Sequence, residues 1–146
     1  MGDLPPLVKF FDPNHGYLAL NNSDQLPSGD VVLDELTDTV TVVWDDRRIP
    51  HIFAKNEHDL FFMQGYIHAF DRLWQMEFQV MAAGGRLSEI VGEKTVDYDR
   101  FFRRLGMMRG AENVLKLYKD DDTMLGSLES YTDGINAYIN SLDKDQ

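Results

Sequence analysis

"EHDLFFMQGYIHAFDRLWQMEFQVMAA", residues Glu57–Ala83, is the stretch whose reading decides the fold. On a helical wheel Gln64, His68, Asp71, Gln75 and Gln79 fall at steps of four, three, four and four, with Arg72 beside them. They form one narrow polar stripe. Phe62, Met63, Tyr66, Ile67, Phe70, Leu73, Trp74, Phe78 and Met81 fill most of the remaining circumference. A surface helix shows the reverse, a limited apolar stripe against a wide polar face. This helix therefore expects cover on most sides. Asn56 is a fitting N-cap, Glu57 and Asp59 stand where carboxylates complement the helix dipole, and Gly84-Gly85 ends the run.

His68 and Asp71 are three residues apart and can touch. Such a pair suits a proton relay or half of a metal site. No Ser or Cys nucleophile lies near in sequence, and no third ligand is spaced on the same helix. The reading adopted is structural: the cluster is the polar seam of a buried helix, and Asp71 and Arg72 bond to neighbouring segments, because unpaired buried charge is costly.

Outward from the helix, "TVTVVW" (Thr39–Trp44) and "IPHIFA" (Ile49–Ala54) read as strands joined through "DDRR". Pro50 cannot donate to a ladder and belongs at a strand start or open edge. After Gly85, "RLSEIVG" (86–92) reads as a short helix. "TVDYDRFFRRLGMMRGAENVLKLY" (95–118) reads as a helical stretch broken near Gly106 or Gly110. Thr123–Leu142 is the last helix, preceded by Asp120–Asp122. Residues 1–38 form an irregular arm broken by Pro5, Pro6, Pro13 and Pro27. Its apolar islands Leu7–Phe11 and Tyr17–Leu20 suggest a segment laid on a surface. Its sequon Asn21-Asn22-Ser23 reads as chance.

Composition narrows the function classes. The 146 residues carry a net charge of −11, which argues against nucleic acid and anionic membranes as partners. With no cysteine, thiolate nucleophiles and disulfides are excluded in this chain. No apolar run is long enough to span a membrane. "MGDLPPLVKFFDP" at the start has neither a basic nor an apolar leader region, so no signal peptide is expected in it. "DDDTMLGSLE" (120–129) places Met124 where a calcium loop needs an oxygen, and "GGRLSEIVG" (84–92) lacks the lysine of a phosphate loop.

An ordered series of residues resembles the start of the penicillin acylase (penicillin amidase) family. It comprises Asp45, Ile49-Pro50-His51-Ile52, Ala54, Asp59-Leu60, Gly65-Tyr66, Ala69, Asp71-Arg72-Leu73, Gln75-Met76, Gly85, Ser88-Glu89, Gly92, Asp99 and Arg103-Arg104. "SYTDGINAYI" (130–139) continues it. Two departures stand out: Arg48 replaces the family's Gly in the hairpin turn, and Phe70 replaces a common Gln.

The resemblance implies an N-terminal nucleophile hydrolase with an αββα core, of class α+β. This segment would be its mostly helical part, with one β-hairpin near residues 39–54. It implies a precursor that cuts itself into an α chain and a β chain, with 39–146 the N-terminal portion of the α chain. The activity implied is hydrolysis of an amide joining an acyl group to an amine, in penicillins, cephalosporins or N-acyl homoserine lactones. The nucleophile would be the Ser that opens the β chain, its own α-amino group serving as base. Ser23, Ser28, Ser88, Ser127, Ser130 and Ser141 match no such position, so no catalytic, substrate or metal residue is assigned here. A structural calcium in the full enzyme, a periplasmic or secreted location, and an acyl pocket formed downstream are further implications. The partner expected is the β chain, with some of Phe62, Tyr66, Trp74, Phe78 and Met81 exposed in its absence. The alternative reading is a non-catalytic helical protein-binding module.

Overall fold

The computed structural model describes residues 29–142. The apolar islands of the arm and the sequon lie outside the described residues. The described residues open with an irregular strap over 29–40, followed by β1 (Thr41–Trp44) and β2 (Pro50–Phe53). The strands pair antiparallel, with Val42 opposite Ile52 and Trp44 opposite Pro50. Pro50 opens its strand, as its missing N–H requires. Val42, Trp44 and Ile52 turn one partly buried face inward, while Thr41, Val43, His51 and Phe53 are exposed. That alternation is the period-two pattern of a one-sided hairpin.

The hairpin turn is built on Asp45. Its Oδ1 accepts the N–H of Arg47 at 2.9 Å and of Ile49 at 2.8 Å. These bonds hold the Asp45 carboxyl below the usual carboxylate range, the Ile49 amide being the largest cause. Arg48 takes φ +61°, the left-handed conformation that favours Gly and that the family pattern fills with Gly.

Five helices follow: α1 (Glu57–Gly84), α2 (Ser88–Val91), α3 (Val96–Leu105), α4 (Met107–Tyr118) and α5 (Asp122–Ser141), with a 3-10 turn at Glu93–Thr95 before α3. The break in the 95–118 stretch falls at Gly106, at φ +72°, not at Gly110. Asn56 caps α1, its side chain accepting from the Asp59 N–H at 2.8 Å. Asp121 caps α5 by accepting from the Met124 N–H at 3.0 Å, so the acidic run there serves a helix N-terminus. Gly85, at φ +66°, closes α1 and leaves no room for a Cβ beside the Asp99 carbonyl.

The principal packing is α1 against α5. Two glycines let the backbones touch. A Cβ on Gly65 would overlap the carbonyl of Tyr131, and one on Gly134 would overlap the carbonyl of Phe62. Tyr66 and Phe70 of α1 meet Tyr138 of α5 edge-on, with ring centroids 5.5 and 5.8 Å apart.

The cover expected around α1 is partial. Asp59, Phe62, Met63, Gly65, Ile67 and Ala69 are buried, and all precede Arg72. Arg72 itself leaves the helical conformation at φ −145°, ψ 22°, and kinks the rod. Beyond it no α1 residue is buried. The expected exposure of α1 aromatics is corrected by the packing. Phe62 is completely buried, and Tyr66, Trp74, Phe78 and Met81 are partly covered. The most exposed apolar side chains of the helices are Phe101 (56%), Leu105 (57%) and Leu117 (74%) on α3 and α4, with Val80 of α1 at 55%. The physical reason is that α5 packs closely on the Gly65 face of α1, while α3 and α4 touch the other helices over only a few residues.

Candidate functional site

Two buried carboxylates organise the polar interior. Asp59, in the first turn of α1, is fully buried. It accepts the N–H of Thr37 at 2.9 Å, the N–H of Asp38 at 2.8 Å and the Asn56 amide at 2.6 Å. His58 Nδ1 lies 2.9 Å from its Oδ1. Burial alone would raise its pKa. The bonds from Thr37, His58, Asn56 and Asp38 outweigh that and hold it far below the usual carboxylate range. Asp59 thus pins the strap to the start of α1.

Asp99 does the same for the far end of α1. Its Oδ1 accepts the Leu87 N–H at 2.8 Å, and its Oδ2 accepts the N–H of Ser88 at 2.9 Å and the Ser88 hydroxyl. Burial again pushes the carboxyl up, and the Ser88 and Leu87 bonds with the charge of Arg103 bring it down. Arg103 Nε donates to the carbonyl of Gly85 at 2.8 Å. The α1–α2 corner is therefore clamped onto α3 from both sides.

The seam residues separate. His68 Nδ1 stands 2.9 Å from the Tyr131 hydroxyl, with the rings edge-on at 5.7 Å. This joins α1 to α5 through a seam residue for which no such bond was expected. Burial raises the Tyr131 phenol above its ordinary value. Arg72 is corrected: it is exposed, and its Nη1 donates to Gln75 Oε1 at 3.2 Å on its own helix. Its charge has swung to solvent at the kink, where it needs no buried partner. Asp71 is raised by partial burial, offset in part by the charges of Arg72 and His68.

The described serines are occupied structurally. Ser88 donates to Asp99, and Ser127, Ser130 and Ser141 donate to the carbonyls of Thr123, Gly126 and Tyr138. Among the described residues no three His, Asp or Glu side chains gather as metal ligands. An apolar groove of about 880 Å³ runs between the strap, β1 and α1, with Val31, Val32, Trp44, Met63 and Phe70 in its walls. A smaller cleft of about 500 Å³ lies between Phe61 and Gln64 of α1 and Met124 and Leu128 of α5.

The residues that stand out in the sequence thus hold backbone. Asp45 builds a turn, Asp59 and Asp99 clamp segments, and Gly65, Gly85 and Gly134 permit close approach. Together they define a structural scaffold, a hairpin and helices whose signature is one of folding. The signature is also specific to a lineage. The penicillin amidase family model matches residues 39–146, and the chain belongs to that family. It is 34% identical over 127 residues to the acyl-homoserine lactone acylase QuiP of Pseudomonas fluorescens strain Pf-5, covering 85% of this chain and 15% of that protein. It is 36% identical over 119 residues to the penicillin acylase 2 proenzyme of Pseudomonas sp. strain SE83, covering 78% and 14%. It is 29% identical over 109 residues to the penicillin G acylase of Escherichia coli, covering 75% and 13%. The chain thus spans about one-seventh of the length of these relatives.

Proposed function

We propose that this chain is the N-terminal portion of the α chain of an amide hydrolase, a scaffold whose catalytic residues lie in polypeptide beyond it. The boundary at residues 38 and 39, between arm and acylase segment, belongs to the same proposal. The carrying observation is the match over 39–146 to a family whose relatives are penicillin and acyl-homoserine lactone acylases. The geometry agrees in kind, because the signature residues secure the fold and leave chemistry to other segments.

The reaction proposed is hydrolysis of the amide between an acyl group and an amine, in penicillins, cephalosporins or N-acyl homoserine lactones. A Ser at the start of a separate β chain would attack the carbonyl. Its own α-amino group, with an ordinary pKa near 8, would take the proton. Preorganised donors in the β chain would stabilise the oxyanion. A structural calcium in the full enzyme belongs to this reading. A periplasmic or secreted location is part of the proposal; no helix among the described residues is long and apolar enough to cross a membrane.

The test is expression of the complete reading frame that contains this segment. Mass spectrometry should find two chains, the second opening with Ser, and the product should release the amine from an acyl-nitroanilide or acyl-homoserine lactone. The 146-residue chain alone should release none. A complete product that stays uncut and inert would overturn the proposal. So would sustained release by the rigorously purified 146-residue chain.

A further inference from the structure

The groove between the strap, β1 and α1 has a volume of about 880 Å³. Packed interiors leave few voids larger than a water molecule, so this space has room for several bulky side chains. Leu36, Val40, Met63, Ile67 and Phe70 give it apolar walls. On the strap side Val31 and Val32 stand 66% and 86% exposed. The carboxylate in the lining, Asp38, is met by Lys55 Nζ at 2.8 Å, so its charge is already balanced. Contiguous apolar surface of this kind marks an interaction site.

Where the chain enters points to the occupant. Gly29 is the first described residue and itself lines the groove, so residues 1–28 join the fold at the groove's lip. Gly29 takes φ +127° with open space around it, a conformation that admits a sharp change of direction. Upstream, "LVKFFDPNHGYLAL" (7–20) carries two apolar islands, and its Lys9 and Asp12 cancel in charge. Nine residues separate Leu20 from Gly29, a reach of at most about 30 Å. The four residues of β1 extend only about 13 Å, so the islands can reach any part of the groove.

We propose that residues 7–20 fold back from Gly29 and fill this groove with Phe10, Phe11, Tyr17 and Leu18. The inner face of the hairpin is then held between the arm and α1. A short tether gives the islands a local concentration on the order of millimolar, which no separate molecule matches at ordinary dilution. A second copy is the weaker fit, because it brings together two chains of net charge −11.

The complete gene product that contains this segment is the sample for the test. A benzophenone amino acid in place of Phe11 keeps an aromatic ring in the arm. On irradiation it should cross-link within residues 31–44 or 63–70 of the same molecule. Mass spectrometry locates the link, and a mixture of isotopically light and heavy copies separates links within a molecule from links between two. Val40→Cys places a thiol in the groove wall, and Ala83→Cys places a partly covered one far along α1 as the reference. Phe10→Ser combined with Phe11→Ser should speed maleimide labelling at position 40 at least tenfold and leave position 83 unchanged. Deletion of residues 1–20 should do the same. A cross-link only to polypeptide beyond residue 146, only to a second copy, or to nothing would overturn the proposal. So would a labelling rate at position 40 that neither variant changes, or one that rises equally at position 83.

Discussion

Gly65 and Gly134 pack reciprocally across the α1–α5 crossing, each against a carbonyl of the other helix: Gly65 against Tyr131, and Gly134 against Phe62. Neither position has room for a Cβ, and the obstacle is backbone, which cannot swing aside. Gly65→Ala or Gly134→Ala must therefore push the helices apart. Overpacking of a core costs about 1–3 kcal/mol, and the rigid backbone places these two at or above the upper end. Gly126 of α5 has open space instead. Gly126→Ala should stabilise by about 0.5–1 kcal/mol through helix propensity. Urea midpoints of the three variants supply the check. A neutral Gly65→Ala would show that the helices are not in backbone contact.

The Asp59 clamp gives stability a pH dependence whose sign follows from its lowered pKa. In the unfolded chain its carboxyl titrates near 3.9. In the fold it stays ionised well below that value. Its contribution is thus complete above about pH 5 and is lost as pH falls through the acid range toward the folded pKa. Asp99, Asp45 and Glu89 act in the same direction. Asp71, raised by burial, acts in the opposite one, since its protonation favours the fold. Asp59→Asn keeps the shape and removes the charge. It should cost about 1.5–3 kcal/mol near neutral pH and flatten the dependence of the urea midpoint between about pH 5 and 2. Hydrogen exchange at the Thr37 and Asp38 amides should accelerate in that variant, because both donate to Asp59. Unchanged exchange at both amides would mean that the strap is held by something else.

Arg48 stands at φ +61° in the hairpin turn. A residue with a Cβ costs about 1–2 kcal/mol in that conformation, and Gly does not. Part of the gain from Arg48→Gly is returned because Gly widens the unfolded ensemble. The net stabilisation expected is up to about 1 kcal/mol, read as an upward shift in thermal midpoint. A lowered midpoint would mean that the Arg48 side chain contributes more than its backbone strain removes.

The 146-residue chain by itself should self-associate. Phe101 and Leu105 on α3 and Val114, Leu115 and Leu117 on α4 are exposed apolar side chains. Burying such a side chain is worth about 1.5–3 kcal/mol, so a few of them drive association at laboratory concentrations. The negative charge opposes this, but salt screens it within about 10 Å at 0.1 M. Sedimentation across a hundredfold concentration range should show rising mass, and Leu115→Glu should lower it. A strictly monomeric chain at every concentration would contradict this expectation.

Local order was legible in the residues themselves. The period of Gln64, His68 and Asp71 gave α1 its span, Asn56 its start and Gly85 its end. Pro50 set the start of β2, and the Arg48 substitution announced a strained turn. The ordered motif from Asp45 to Ile139 assigned the family. These signals lie within a few residues of what they specify. The tertiary structure decided the rest. The amides that bind Asp59 are 21 and 22 residues away, and backbone N–H groups leave no side-chain signature to read. Tyr131 is 63 residues from His68, so the partner of that histidine could not be read from its own helix. Gly65 and Gly134 gain meaning only when two helices cross. The kink at Arg72 and the half-exposed apolar side chains of α4 depend on what packs where, because an apolar residue calls for cover without naming the segment that provides it.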